Sequence, residues 1–278
     1  MQTKPVRDVS DTAKWVAIYR AEESERHDAL FRDPLAARLA GDRGPRIAAG
    51  ASKHSRWALV TRTKLIDDLV LASLRDGTDR ILNLAAGFDT RPYRLELPND
   101  LVWIEADLPA LVAEKERLLA GETPRCKLRR EAVDLADPAA RAAFLARSTE
   151  GAKQTLVITE GLVVYLEQGV VEAMARDFAA HAVHFWILDF SSPRIVADIR
   201  RDMGALLENA PFKFAPPNGV AFFEQLGWKP RDMHSLFHAA ARLKRLPLWM
   251  RPFALFPQPN PRDLKNERWS AVVRFERG

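Results

Sequence analysis

A single cysteine, Cys126, stands in the 278 residues, so neither an internal disulfide nor a multi-cysteine zinc site can form. No apolar run approaches the ~20 residues that span a bilayer. The opening stretch, MQTKPVRDVSDTAKW, is polar and has no apolar centre of the kind found in a secretory leader. These absences lead us to expect a cytoplasmic protein without a membrane partner. Internal repeats and low-complexity tracts are also missing.

Four chemical signatures are absent as well. Without G-x-G-x-x-G there is no glycine turn to admit a dinucleotide pyrophosphate, which argues against a nicotinamide-dependent oxidoreductase. There is no G-x-x-x-x-G-K-[ST] phosphate loop and no G-x-S-x-G nucleophile elbow. His234 and His238 are four apart, within HSLFH, and could share a helix face. His181 and His184 form a similar pair. Neither pair has the acid of H-E-x-x-H or an obvious third ligand, so no metal is expected.

The charge balance is mild: 42 Lys and Arg against 37 acids, or +5. The excess gathers late, in RLKRLPLWMR (Arg242 to Arg251). It reads as a solvated face, or as a rim attracting an anionic small molecule, rather than as a nucleic-acid footprint.

What is present is globular. Hydrophobic residues make up 47% and charged residues 28%, which suits one large domain over 1–278 better than two. Residues 11–40 and 53–75 read as helical, separated by a loop at GDRGP (41–45). Strands are then expected at 80–85, 101–106, 128–133, 155–159 and 184–190. They alternate with helices from about Thr90 and over 109–120, 138–147 and 167–181. Thr90 and Asp137 are good N-caps, with Pro92 and Pro138 just inside, and Gly121 is a stop. The alternation predicts βαβ units and a parallel sheet. VAFFEQLGWKPRDM reads as helix then strand, and RWSAVVRFER as a last strand after a proline-rich stretch at 247–261. The fold class is therefore α/β: a doubly wound, mostly parallel sheet with an antiparallel C-terminal edge. Residues 1–76 and part of 191–250 are left for a helical cap.

Ligands of such sheets sit beyond the carboxyl ends of the strands. The first strand ends in Ala85-Ala86-Gly87, small residues that allow close approach to the backbone. Asp107 lies 20 residues after Gly87, a spacing at which an acid can hold a ribose. Glu105 shares its strand face, but Asp107 stands past the strand end and is preferred. The third strand ends at Asp134-Leu135, where a carboxylate beside a free amide can read an adenine edge. The fourth runs into Glu160-Gly161. Taken singly, the Ala85–Gly87 segment reads equally as a plain tight turn, Asp134 as a cap of its own loop and Glu160 as a surface turn acid. Three strand ends with three acids favour one shared site, and the lack of pyrophosphate glycines favours a nucleoside.

The segments NLAAGFDTRPYRL, WIEADLP with Lys115 downstream, VDL and EGLVVYL, with TAKWVAIYRAEE and RTKLIDD before them, resemble the leucine carboxyl methyltransferase family over about residues 11–190. The bacterial branches of that family act on polyketides and other small molecules. The resemblance implies a seven-stranded Rossmann-like methyltransferase that binds S-adenosyl-L-methionine and methylates a carboxylate, or a hydroxyl, of a small acceptor, anionic in character. Other readings are methylation of a protein C-terminal carboxylate, or a non-catalytic member that keeps the cofactor.

The resemblance assigns Lys14 and Arg62 to the cofactor's methionine carboxylate, Ala85 and Gly87 to its backbone-facing edge, and Asp107 to the ribose hydroxyls. Asp134 and Leu135 go to the adenine, and Glu160 to the amino group. Ala85 departs from the family's usual glycine. No catalytic residue is assigned. Tyr165 and Arg91 are candidates for orienting an anionic acceptor, and APFKFAPPNGVAFF for lining an apolar pocket. Oligomeric state is left open.

Overall fold

The computed structural model describes residues 9–51, 55–204 and 208–278. Residues 53 and 54 of the second expected helix, and residues 1–8, 52 and 205–207 of the expected cap, lie outside them. The chain runs α1 (Val9–Ser24), α2 (Ala36–Ala40), α3 (Arg43–Gly50) and α4 (Ser55–Arg75), and then enters the sheet. The alternating part follows: β1 (Arg80–Leu84), α5 (Arg91–Arg94), β2 (Val102–Asp107), α6 (Pro109–Leu118), β3 (Lys127–Ala132), α7 (Pro138–Thr149), β4 (Thr155–Thr159), α8 (Gln168–Ala180) and β5 (Val183–Ser191). It closes with α9 (Pro193–Met203), α10 (Val220–Glu224), β6 (Trp228–Ser235), α11 (Leu236–Arg242) and β7 (Ser270–Arg277).

The sheet has seven strands in the order β3-β2-β1-β4-β5-β7-β6. The first five are parallel, and β7 runs antiparallel to both β5 and β6. This is the doubly wound α/β sheet with an antiparallel C-terminal edge that the alternation implied. Strand periodicity divides the core into two layers. On β5, Trp186, Leu188 and Phe190 enter one layer with Phe178, Phe223 and Trp228, while Phe185 and Ile187 enter the other with Leu65, Ile66 and Leu69 of α4. Trp186 sits edge-on to Phe178, Phe223 and Trp228 at 5.0, 5.5 and 5.6 Å between ring centroids. Its indole N–H donates to Thr159 Oγ1 at 2.8 Å, so the deeply buried ring keeps its polar edge satisfied.

Three local expectations are corrected. The helix expected over 11–40 ends at Ser24 and resumes only at Ala36; within the gap Pro34 keeps Asp33 out of the helical region, and the buried Asp33 is held by Arg20 and Thr90. GDRGP belongs largely to α3 and not to a loop: Pro45 falls in the first turn, where no amide donor is required. The helix expected from Thr90 is a single turn, α5, and Thr90 makes no side-chain cap. Asp137 does cap α7, accepting from the amides of Ala139 and Ala140. Among the described residues, no helix is long and apolar enough to cross a membrane.

Candidate functional site

β1 lies between β2 and β4, so the chain leaves the sheet centre in both directions there. At such a switch point the loops diverge and leave a crevice beyond the carboxyl ends. A cavity of about 680 Å³ opens at this place, within the range of small-ligand sites. Its floor is the strand-end turns, and α1, α4 and α9 supply its walls.

The turn after β1 is tight. Ala85 has φ +52° and Gly87 φ +47°, so both are in the left-handed region. Glycine occupies that region freely, while alanine is strained there by about 1–2 kcal/mol. Both residues line the cavity, with the methyl of Ala85 the only side chain at its position. Gly87 donates its amide to Asp107 Oδ2 at 2.7 Å, and Leu108 donates to Oδ1 at 2.8 Å. Each oxygen of Asp107 thus keeps a second lone pair. Burial pushes this carboxyl above its ordinary range, and the two amides offset that only in part. Glu105 is buried and paired with Lys115 and Arg130, at 2.8 Å each, and does not line the cavity. Asp107 is the last residue of β2 and not, as expected, a residue past the strand end; it lines the cavity, while Glu105 does not.

Asp134 and Leu135 both line the cavity. Asp134 is exposed, and its Oδ1 accepts from the Ala136 amide at 2.9 Å. The residue therefore caps its own loop, with its other oxygen left for a ligand.

Glu160 stands at the centre of a buried charge network. Its Oε1 accepts from Arg62 Nε at 3.0 Å and its Oε2 from Arg91 Nη1 at 2.7 Å. Burial alone would raise its pKa; Arg91 and Arg62 outweigh that and hold it below the usual carboxylate range. Arg91 also pairs with Asp89 at 2.8 Å and Asp67 at 2.7 Å. Asp89, pushed up by burial but held down more strongly by Arg91, likewise stays well below its ordinary value. Arg62 lines the cavity and reaches Asp189 Oδ2 at 3.1 Å, while Asp189 Oδ1 accepts from the Gly161 amide at 2.6 Å.

Two expected residues do not line this cavity. Lys14 Nζ pairs with Glu114 at 2.9 Å. Thr12, Val16 and Arg20 are four apart and face the cavity together, so helical geometry turns Lys14 the other way, toward α6. Arg91 is 1% exposed and lies beneath Glu160; it positions that carboxylate and cannot orient an acceptor directly. Tyr165 does line the cavity, edge-on to Phe212 at 5.2 Å between centroids. Burial raises its pKa although Thr12 bonds its side chain, so the phenol keeps its proton at neutral pH.

Sequence reasoning missed Asp189, Asn83 and Arg20. Asn83 donates to Asp89 Oδ2 at 2.7 Å. Arg20 bridges Asp33 Oδ2 at 2.8 Å and the Phe88 carbonyl at 2.5 Å. Only Asp189, near the end of a strand like its counterparts on β2 and β4, carried a usable signal. The histidine pairs do not converge: His234 is in β6 and His238 in α11. His184 Nδ1 accepts from the Thr155 amide at 3.3 Å, and His181 Nδ1 meets the Asp177 carbonyl at 2.8 Å.

The cavity thus joins strand-end carboxylates, Arg62 and small-residue backbone to an apolar chamber. Known proteins agree at the level of the fold and the family. A DUF574 family protein of Streptomyces avermitilis has a similar structure, with a TM-score of 0.60 over 95% of this chain and 97% of that one. At 12% identity the likeness speaks to the fold alone. A Streptomyces coelicolor protein named "Putative S-adenosyl-L-methionine-dependent methyltransferase" is 37% identical over 177 residues, 59% of this chain and 62% of the relative. A Frankia alni protein of the same description is 31% identical over 248 residues, 83% of this chain and 86% of the relative. The match thus spans less than two thirds of the Streptomyces coelicolor relative and more of the Frankia one. The family model for leucine carboxyl methyltransferase matches residues 13–179, the stretch that holds most of α1 and every strand-end acid from Asp107 to Glu160, and the chain belongs to that family.

Proposed function

We propose that the protein is an S-adenosyl-L-methionine-dependent O-methyltransferase acting on a carboxylate of a largely apolar small molecule. One observation carries the cofactor half of the reading: Asp107, Asp134 and Glu160, at the ends of successive parallel strands, all line one cavity beside the Ala85–Gly87 turn. The relatives' names support it. The residues fit the group. The free lone pairs of Asp107 suit two vicinal ribose hydroxyls. The second oxygen of Asp134, with the backbone at Leu135, suits an adenine edge. Glu160 and Asp189 suit an ammonium, and Arg62 between them suits a carboxylate. Ala85 and Gly87 let the ligand lie against the main chain. Lys14 has no part in this assignment.

When bound, the cofactor supplies a methyl group already activated on a sulfonium. The chain's own task is to orient the acceptor oxygen and exclude water. Trp15, Trp57, Ile199, Met203 and Phe212 form the apolar part of the chamber, which suits a hydrophobic acceptor body. Among the described residues lining the cavity there is no His, Lys or Cys. Tyr165 holds its proton, and Glu160 is occupied by arginines. With no base near neutrality, the reaction favours an acceptor oxygen that arrives ionised, and a carboxylate does. Tyr165 would donate to it.

Transfer of a labelled methyl group to a panel of aromatic and aliphatic carboxylic acids, and to the matching alcohols, tests the reading. Ester formation with acids is expected. Methylation of alcohols alone would sink the carboxylate assignment, and cofactor binding with no acceptor turned over would favour a non-catalytic member.

A further inference from the structure

Among the described residues seven large apolar side chains are exposed, and five of them fall between 248 and 256: Leu248, Trp249, Phe253, Leu255 and Phe256, at 56–87%. They sit on a short 3₁₀ segment, Leu248–Leu255, and the residue after it. Solubility alone does not select such a cluster. We propose that this strap is a docking surface for an anionic lipid bilayer.

The strap is built rather than loose. Arg245, just before it, pairs with Glu23 at 2.7 Å and so ties it to α1. Arg251 Nε donates to the Leu246 carbonyl at 3.2 Å, and the Phe256 carbonyl meets His238 Nε2 at 3.3 Å. Pro247, Pro252 and Pro257 restrict the backbone. A rigid apolar ridge loses little entropy when it is buried.

Charge selects the occupant. No acid occurs from Met233 to Arg262. Arg242, Lys244 and Arg251 are exposed around the ridge. A symmetric contact with a second copy would set this patch against itself, cation facing cation. An anionic bilayer answers both features at once: the apolar side chains enter the acyl boundary and the cations meet headgroups. The surface also lies close to the cavity. Phe237, beside His238, is edge-on to Trp57 at 6.2 Å between centroids, and Trp57 lines the chamber. The sequence-based expectation of no membrane partner weighed spanning segments only, and the strap does not span. This inference does not depend on the methyl-transfer reading.

The test is flotation of the full chain with vesicles of phosphatidylcholine, and of phosphatidylcholine mixed with phosphatidylglycerol. Two double variants are run alongside: Leu255→Ser with Phe256→Ser, and Lys244→Glu with Arg251→Glu. Every altered side chain is exposed, so unchanged circular dichroism is expected. The wild type should float with the anionic vesicles, at least about ten-fold more than with the neutral ones, and each variant should lose about ten-fold or more. No flotation of the wild type overturns the proposal, as does equal binding to both vesicle types or unchanged binding by the variants. A wild-type dimer in sedimentation velocity that the serine variant dissociates, without vesicle binding, assigns the ridge to a second copy instead.

Discussion

Replacing Ala85 by glycine acts on two links of the chain from sequence to function, and both can be measured. Ala85 sits at φ +52°, where an L-residue costs about 1–2 kcal/mol. Glycine removes that strain, but its unfolded chain is freer, which takes back about 0.4–1 kcal/mol. The net expectation for Ala85→Gly is a stabilisation of about 0.5–1 kcal/mol, or a rise in Tm of about 1–3 °C for a chain of this size. Ala85→Val should do the reverse and cost more than the alanine does, because a β-branched side chain tolerates this region least. Since Ala85 lines the cavity, losing its methyl should also leave cofactor affinity unchanged or tighter. Urea unfolding and calorimetric titration read the two effects separately. A glycine variant less stable than the wild type would refute the strain argument. A glycine variant that binds the cofactor more weakly would refute the placement of this turn against the ligand.

Two further predictions follow from the charge network. Arg91→Ala removes the shared partner of Asp67, Asp89 and Glu160 and leaves buried carboxylates short of a cation, so it should cost about 3–5 kcal/mol, read as a lower urea midpoint with the slope unchanged. On acidification, binding and folding should fail at different pH values. Asp89 and Glu160 titrate below their ordinary values in the folded state. Their support is therefore complete above their unfolded values, about 4–4.5, and is lost only as pH falls through the lower folded ones. Asp107 titrates above its ordinary 3.8. Cofactor affinity, which needs it ionised, should therefore fall first, while the circular dichroism still reports a folded chain. Simultaneous loss of both signals would count against the two opposed shifts.

The strand-end acids were legible because a parallel strand announces itself by its own apolar run, and the residue just past it must face the crevice. Asp107 closes β2 itself and lines the cavity, while Glu105, two residues earlier, is taken by Lys115 and Arg130. Other features depend on partners far along the chain. Arg62 meets Asp189 across 127 positions, and nothing near either residue signals the pairing. Arg91 reads in the sequence as a cation available to an acceptor, yet Asp67, Asp89 and Glu160 draw it into the core. Lys14 fell to a helix rotation that only the packing of α1 on α6 decides. That no helix runs through Asp33 was foreseeable from Pro34, though the end of α1 at Ser24 was not, and the extent of α3 was foreseeable from the tolerance of a first turn for proline. The basic, acid-free stretch before residue 262 was visible in the sequence, but the exposure of its aromatic side chains was not, since an apolar run reads as core until the fold leaves it outside.

Calorimetric titration with S-adenosyl-L-methionine and its demethylated product, on the wild type and on Asp107→Asn, tests the proposed cofactor site most directly. Asparagine retains an acceptor for one of the Gly87 and Leu108 amides, leaves the other unpaired at a cost of about 1–3 kcal/mol, and loses the charge-assisted bonds to a diol, so affinity should fall by about 100-fold in a chain that circular dichroism still reports as folded. Absence of binding to the wild type, or equal binding by the two proteins, would contradict the assignment of this cavity to the cofactor.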